Sequence, residues 1–462
     1  MKKLVYMLIA LLAFTACSSD ELMPSAPNAN THHRVKMRLV GGLNGFDHST
    51  TNANTRAEAT DDWKVGDIIY LTLSNSTHGT ATYTNDGWVV DYEGSLTSGE
   101  GQNCTAYYFE EVKSRTDYLV QLLPTSATYK AQGTYNYMDG ELTLYANLKP
   151  TTGRVRFKGT VGSKVYVAGP VFASSYTPST NTLNTGLTTA ILTVDESGYT
   201  PYIYGEFETI AMGHGENPTT HNISIACGEV AYTRTFTNDL LNVGKSGYIT
   251  VPTEAAHSGW RIGFTIRLKS YDFKELELKM MPVTGFTSGY FMLSETEVTK
   301  RQYESVIDHS TDISQANYPK DYLSYNTACG FVYELIALTG LNFYIPTEEE
   351  WLYAARGGKL SQGYTYAGSN NANEVAWTSE NANGDTHEVK TKMPNELGLY
   401  DMSGNVWEFT APIKGDYNSY LHLQGGSYYE SKNSSSIGNY IYENSYVTSD
   451  SRYGLRVALY FE

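Results

Sequence analysis

The sequence predicts a mainly β N-terminal part, built as two β-sandwich domains, followed by an α+β domain in the last third of the chain. Three observations predict it. From Val35 to about Thr253, short runs of alternating apolar and polar residues recur with turn residues every ~8–12 positions. Convincing helix start and stop signals are confined to residues from Thr296 onward. The 462 residues are 41% apolar and 13% aromatic, ample for the cores of about three domains.

At the N-terminus, Lys2 and Lys3 precede an apolar run from Leu4 to Phe14. The run is too short to span a bilayer and reads as the core of a signal peptide, residues 1–17. Phe14-Thr15-Ala16-Cys17 places small residues before a cysteine and looks like a bacterial lipobox, which makes Cys17 the expected lipidation site. An ordinary cleaved secretory signal is the alternative. Ser18-Ser19-Asp20-Glu21 is polar and acidic, similar to the export tag of outer-surface lipoproteins. Residues 18–33, with Pro24, Pro27 and several Asn, read as a tether. No later apolar run is long enough to cross a bilayer, so the lipid would be the anchor to the outer membrane.

The first β domain is expected over residues 34–147. Val35, Met37 and Leu39 alternate with Lys36 and Arg38. A Gly/Asn/Thr-rich loop to about Asp62 contains Arg56, in the kind of segment that proteases nick. Strands follow in Asp61–Leu73, Ala81–Tyr83, Trp88–Asp91, Thr105–Phe109 and Tyr118–Leu122. The second β domain, residues 148–255, carries Val155 and Phe157, then Val165 and Val167, and closes on YTRTFTNDLLNVGKSGYITVPT. Residues 256–277 form a linker with a strand-like stretch, Arg261 to Leu268. In the α+β domain, residues 278–462, Thr296 is placed to N-cap a helix from Glu297 to about Ile307. Ser324 is placed to cap one reaching Thr339, stopped by Gly340. Thr347 and Glu350 form a capping box for a helix ending at Gly357.

Composition narrows the function. A net charge of −16 argues against nucleic acid and anionic membrane as partners. Tyr outnumbers Phe by 39 to 15, an excess of an amphipathic contact residue. Cys17, Cys104, Cys227 and Cys329 form no CxxC pair, so buried free thiols are expected rather than a zinc site or a disulfide framework.

The last domain is organised around GLYDMSGNVWEFT, Gly398 to Thr410. In a strand, Trp407 and Phe409 share one face and Glu408 points to the other. Asp401 and Glu408 are hard oxygen donors, and Gly404 lets the backbone turn between them. The residues read either as a calcium-type cage against a buried Trp or as a glycine turn beside a core Trp. Around this stretch stand EVTKRQY (Glu297–Tyr303), YIPTEEEWLYAARGG (Tyr344–Gly358), QGGSYYES (Gln424–Ser431) and YGLRVAL (Tyr453–Leu459). This ordered set resembles the formylglycine-generating-enzyme-like, or sulfatase-modifying-factor, family, a variant of the C-type lectin fold.

The resemblance implies a structural calcium held by the Asp401 side chain, the Gly404 and Val406 carbonyls and the Glu408 side chain. A salt bridge or a bound water is the alternative at the same turn. A second family site falls near Asn381 to Asp385, in a shortened loop to which no ligands are assigned. Family members that oxidise cysteine hold copper with two cysteines after the GGS motif. The matching positions are Glu430 and Ser435, which offer soft copper(I) neither thiolate nor thioether. Iron-dependent relatives need a histidine cluster, whereas His309, His387 and His422 are scattered. Catalysis is therefore not expected.

The stretch YYESKNSSSIGNYIYENSY, Tyr428 to Tyr446, has the composition of an antibody paratope. Tyr428, Tyr429, Tyr440, Tyr442 and Tyr446 are expected to form an exposed patch, with Asn433, Asn439 and Asn444 at its rim. The layout further resembles variable proteins of diversity-generating retroelements, with Gly425, Gly426, Ser427, Gly454, Leu455 and Arg456 as fixed scaffold; an ordinary polar loop is the alternative. In the N-terminal part, TRAEATDDWKVGDIIYL and the Leu-x-x-Gly-Lys turn before Tyr248 resemble the transthyretin-like sandwiches of fimbrillins, the pilins of lipoprotein-derived (type V) pili. That resemblance implies cleavage after Arg56, pilin subunits as partners, and a surface adhesin at the pilus tip binding a glycan or protein. A non-pilus surface lipoprotein binding glycan or protein is the second reading, and an oxidase the third.

Overall fold

The computed structural model describes residues 32–43, 63–74, 77–116, 118–206, 221–236, 246–252, 260–268, 276–286, 289–307, 314–411, 421–443 and 446–461. Cys17, Arg56, His309 and Asn444 lie outside them. Within the described residues the chain is mainly β, and no helix is long and apolar enough to cross a membrane.

The first strands are β1 (His32–Val40), β2 (Ile68–Thr72), β3 (His78–Thr84), β4 (Gly87–Glu93), β5 (Gly99–Phe109), β6 (Val112–Arg115), β7 (Val120–Leu122), β8 (Thr128–Met138), β9 (Glu141–Tyr145) and β10 (Lys149–Pro150). Eight of them form one sheet in the order β10-β8-β5-β2-β3-β4-β1-β9, and β9 returns to pair with β8, closing the path. Alternation sends Val90 and Tyr92 of β4 and Leu142 and Leu144 of β9 inward, onto Ile69, Leu71 and Ala106. β1 is held on both sides, antiparallel to β4 and parallel to β9.

Next come β11 (Gly153–Lys158), β12 (Lys164–Thr177), β13 (Thr182–Thr193), β14 (Ile203–Glu206), β15 (His221–Cys227), β16 (Val230–Phe236), β17 (Ser246–Thr250) and β18 (Trp260–Ile262). They build a ten-stranded sheet with β6 and β7. The expected division at 147/148 is therefore crossed in both directions. β7 pairs with β12 in the second sheet, while Lys149–Pro150 pairs with β8 in the first. An aromatic cluster of Tyr70, Tyr107, Phe109 and Tyr176 packs across that crossing.

The C-terminal part contains β19 (Phe264–Leu268), β20 (Leu276–Phe286), β21 (Gly289–Ser294), α1 (Lys300–Ile307), α2 (Tyr325–Thr339), β22 (Asn342–Tyr344), α3 (Glu348–Ala355), α4 (Ala372–Val375), β23 (Trp407–Phe409), β24 (Leu421–Gln424), β25 (Tyr440–Glu443), β26 (Tyr453–Gly454) and β27 (Ala458–Tyr460). One sheet runs β19-β20-β21-β27-β22, and a second, bearing the central motif, runs β25-β24-β23-β26. Residues 260–268 of the expected linker are in strands: β18 extends the second sheet and β19 the third. One core joins Tyr166, Ala226 and Phe264 to Phe461, and the rings of Tyr166 and Phe461 lie 4.1 Å apart.

Ser324 caps α2 and Gly340, at φ +68°, ends it. Thr347 and Glu350 form the capping box of α3. The first helix differs from expectation. It starts at Lys300, and Thr299 exchanges hydrogen bonds with Gln302 in place of a cap at Thr296. The reason is Glu297, which is drawn wholly into the core by a hydrogen bond from Asn405. Cys104 is buried, Cys227 half-buried and Cys329 exposed, all as free thiols.

Candidate functional site

β23 lies between β24, antiparallel, and β26, parallel. Trp407 and Phe409 enter the large core beside Leu423 and Leu455. Glu408 points the other way and is also fully buried. Arg456 donates from Nε to both Glu408 oxygens, at 3.1 and 3.0 Å, and from Nη2 to Oε1 at 2.9 Å. The indole N–H of Trp351 on α3 donates to Oε2 at 2.6 Å. Arg456 also donates to the carbonyls of Ser294 and Tyr400, both at 2.7 Å.

The turn before β23 is equally closed. Asp401, at φ +58°, accepts from the Lys390 backbone N–H at 2.7 Å. Gly404, at φ +80°, passes so near the Trp377 backbone that a Cβ would lie 2.3 Å from its carbonyl oxygen. The backbone N–H of Val406 donates to Glu297 at 3.0 Å. Burial pushes the Asp401 carboxyl up to about 6, against the opposing pull of the Lys390 N–H and the Arg456 charge. Burial, with Asp401 and Glu408 close by, drives Glu297 well above the usual carboxylate range.

These contacts answer the choice left open at this turn. A carboxylate has about four lone-pair sites. Those of Glu408 are taken by Arg456 and Trp351, so its oxygens are not offered to a cation. The Asp401, Gly404, Val406 and Glu408 set does not fit a calcium cage in this arrangement. It forms a buried ion pair braced by neighbouring hydrogen bonds. Among the described residues no group of three or more His, Cys, Asp and Glu is placed to hold a metal ion.

At the positions of the copper cysteines, Glu430 accepts from Arg452 Nη1 at 2.6 Å and from the Ser427 hydroxyl. Ser435 is buried against Gly426. His387 stacks on Trp377 with ring centroids 3.7 Å apart, and His422 pairs with Glu348. His387 and His422 are thus separately partnered.

The tyrosine stretch divides. Tyr429, Tyr440, Tyr442 and Tyr446 are 66%, 49%, 65% and 42% exposed. Tyr428 departs from the expected patch and is buried. Its backbone N–H is tied to the Asn405 carbonyl at 2.8 Å, which turns the ring inward, and its hydroxyl meets Ser451 at 3.2 Å. On β25, Ile441 packs on the core while Tyr440 and Tyr442 share the outward face. Tyr440 stacks on His422 at 4.7 Å, Tyr446 meets Tyr325 edge-on at 5.5 Å, and Tyr429 lies 5.9 Å from the Arg452 guanidinium. Asn433 and Asn439 are exposed, with the Asn439 amide donating to the Asn433 carbonyl and to Ser436.

Residues 215–460, more than half of the chain, match the sulfatase-modifying factor enzyme 1-like domain. The chain belongs to this family. The match begins upstream of residue 278, where β15, β16 and β19 already contribute to the shared core. Chaperone protein LppX of Paenibacillus barcinonensis is 39% identical over 120 residues, covering 21% of this chain and 43% of that protein. Inactive C-alpha-formylglycine-generating enzyme 2 of Bos taurus is 42% identical over 77 residues, covering 14% of this chain and 26% of that protein. Formylglycine-generating enzymes also match, so the family relatives include both active and inactive proteins. The chain spans less than half the length of these curated relatives. Among solved structures, Treponema denticola variable protein 1 aligns at 22% identity and a TM-score of 0.37, covering 43% of this chain and 99% of its own. A fimbrial assembly protein from Parabacteroides distasonis aligns at 12% identity and a TM-score of 0.25, covering 54% of this chain and 100% of its own.

The sequence reading missed Glu297, Trp351 and the Glu348–His422 pair. Glu297 opens the EVTKRQY motif, Glu348 and Trp351 lie in YIPTEEEWLYAARGG and Arg456 in YGLRVAL, but nothing local showed which partner each would meet.

Proposed function

We propose that this sulfatase-modifying-factor family member is a cell-surface adhesin and not an enzyme. Its C-terminal domain binds a host or microbial ligand, glycan or protein, through the tyrosines of the 428–446 segment. The observation that carries the reading is that four exposed tyrosines, Tyr429, Tyr440, Tyr442 and Tyr446, fall within one stretch of a domain whose Trp351, Trp407 and Phe409 are buried. Rigid rings beside small polar groups make a contact surface at low entropic cost. The non-catalytic reading is supported by Glu430 and Ser435 at the copper positions, one bound to Arg452 and the other packed on Gly426.

A lipid on Cys17 would hold the uncleaved protein to the outer membrane at the cell surface; cleavage after Arg56 would remove that lipid and leave the subunit held at a pilus tip by its partners. Two features support pilin subunits as partners. β1 is the strand that cleavage after Arg56 would remove, leaving the edges of β4 and β9 to accept a donor strand by β-addition. β27 is paired on both sides, by β21 and β22, and so is not itself available to a neighbour. Cys17→Ala should release the protein from the membrane fraction, and N-terminal sequencing of pilus-associated protein should find a chain beginning at Ala57. The binding reading is tested by probing the full chain on glycan and host-protein arrays. Hits that vanish with Tyr440→Ala/Tyr442→Ala are expected, and hits indifferent to that change would contradict it.

A further inference from the structure

An open cleft of about 580 Å³ lies on the first sheet, where the end of β1 meets β8, β9 and β10. Its lining includes Val40, Lys130, Gln132, Tyr145, Asn147 and Lys149, and no Asp or Glu among the described residues. The volume is in the range of small-ligand sites. Close backbone approaches hold its shape. A side chain at Gly41 would run into the Ala146 carbonyl, and one at Gly133 into that of Tyr145.

Lys130 and Lys149 are register partners across the antiparallel β8 and β10. Like charges set directly opposite one another repel and cost stability. Among the described residues no carboxylate pairs with either lysine. Lys130 has only the Tyr107 ring, 5.1 Å from Nζ to its centre. The neutral groups add donors. Gln132 Oε1 accepts from the Thr105 hydroxyl at 3.0 Å, which leaves the Gln132 amide N–H groups to donate. Asn147 and Tyr145, both exposed, bring an amide and a phenolic O–H.

Two ammonium groups without an answering carboxylate suit an anion, and they exclude a metal cation. The chain as a whole carries −16 and repels a large polyanion, so what binds here is drawn by contacts and not by the field of the molecule. The amides and the tyrosine hydroxyl serve sugar hydroxyls, and the exposed Tyr145 ring offers an amphipathic face.

We propose that this cleft binds an acidic saccharide, a sugar bearing a carboxylate or a sulfate, with the acid group held between Lys130 and Lys149. It is a second site, separate from the tyrosine segment, and does not rest on the adhesin reading.

The test titrates the full, uncleaved chain with fluorescent tetragalacturonate, whose acids are carboxylates, with a carrageenan tetrasaccharide, whose acids are sulfates, and with neutral maltotetraose. At least one acidic probe should bind, which identifies the acid group, and maltotetraose should not. Lys130→Gln and Lys149→Gln should each weaken the acidic probe about tenfold. Lys359→Gln, which removes an exposed lysine of the C-terminal part, should leave binding unchanged. Thermal unfolding verifies that each variant is folded, and Lys149→Gln, which relieves the like-charge pair, should melt no earlier than the parent. The site is overturned if neither acidic probe binds, if maltotetraose binds equally, or if Lys130→Gln and Lys149→Gln behave like Lys359→Gln. Acidic-probe binding lost in Tyr440→Ala/Tyr442→Ala and kept in both lysine variants overturns this cleft and leaves the adhesin face standing.

Discussion

Arg456 Nη2 lies 2.9 Å from Glu408 Oε1, and neither side chain reaches solvent. The same guanidinium holds the carbonyls of Ser294, at the end of β21, and Tyr400, in the turn before β23. One side chain thus links three segments of the C-terminal domain around the central motif. A buried pair of this kind need not stabilise relative to apolar residues, but losing one partner strands the other charge.

Arg456→Ala should therefore cost about 3–5 kcal/mol of unfolding free energy. Glu408→Ala should cost a similar amount, and the double variant less than the sum of the two. Chemical denaturation of the full chain, followed by tryptophan fluorescence, measures all three. Strict additivity would mean that the two side chains are not one unit.

The pH dependence follows from Asp401. Folding raises its carboxyl from 3.8 to about 6, so the native state holds that proton more tightly than the unfolded chain does. This contribution is fully present below the unfolded value and is lost as pH rises through about 6. Asn is the fitting replacement, because it keeps an acceptor for the Lys390 N–H and tolerates the left-handed backbone at φ +58°. Stability of the parent minus that of Asp401→Asn should fall between pH 4 and 6.5. A flat difference would show that burial does not perturb this carboxyl.

How much of this was readable in advance depended on distance along the chain. The caps at Ser324, Thr347 and Gly340 were readable because a cap is satisfied within three or four residues. The orientation of Glu408, opposite to Trp407 and Phe409, followed from strand alternation. What Glu408 faces did not, since Arg456 stands 48 residues further on. A carboxylate beside a glycine turn looks the same whether its partner will be a cation or a guanidinium. Thr296 was the expected cap, but Thr299 takes that place because Asn405, more than a hundred residues away, holds Glu297 in the core. Composition marked the 428–446 segment as paratope-like, but Tyr428 was turned inward by a backbone bond to Asn405 that no local pattern encodes. In the N-terminal half the strands were visible. Which sheet β6 and β7 would join was decided by pairing with Tyr176, beyond the reach of periodicity.

Calcium provides a direct check on the central turn. With Glu408 saturated by Arg456 and Trp351, melting curves in excess calcium and in excess chelator should coincide. A bound ion would instead stabilise by about 2.7 kcal/mol at a hundredfold excess over Kd. A shift of that size, absent in Asp401→Asn, would show that the turn opens to take the ion.

The most direct test of the adhesin account is array binding by the full chain carrying Tyr440→Ala/Tyr442→Ala, with its thermal unfolding recorded on the same sample. Both rings are about half exposed or more, so their loss should shift stability by only about 0.5 kcal/mol each. Trp407→Ala, which empties a fully buried site, serves as the structural reference and should cost about 3–5 kcal/mol. The account predicts that the tyrosine variant melts with the parent and loses the parent's ligand. A tyrosine variant that melts as early as Trp407→Ala, or that keeps the parent's binding, would contradict it.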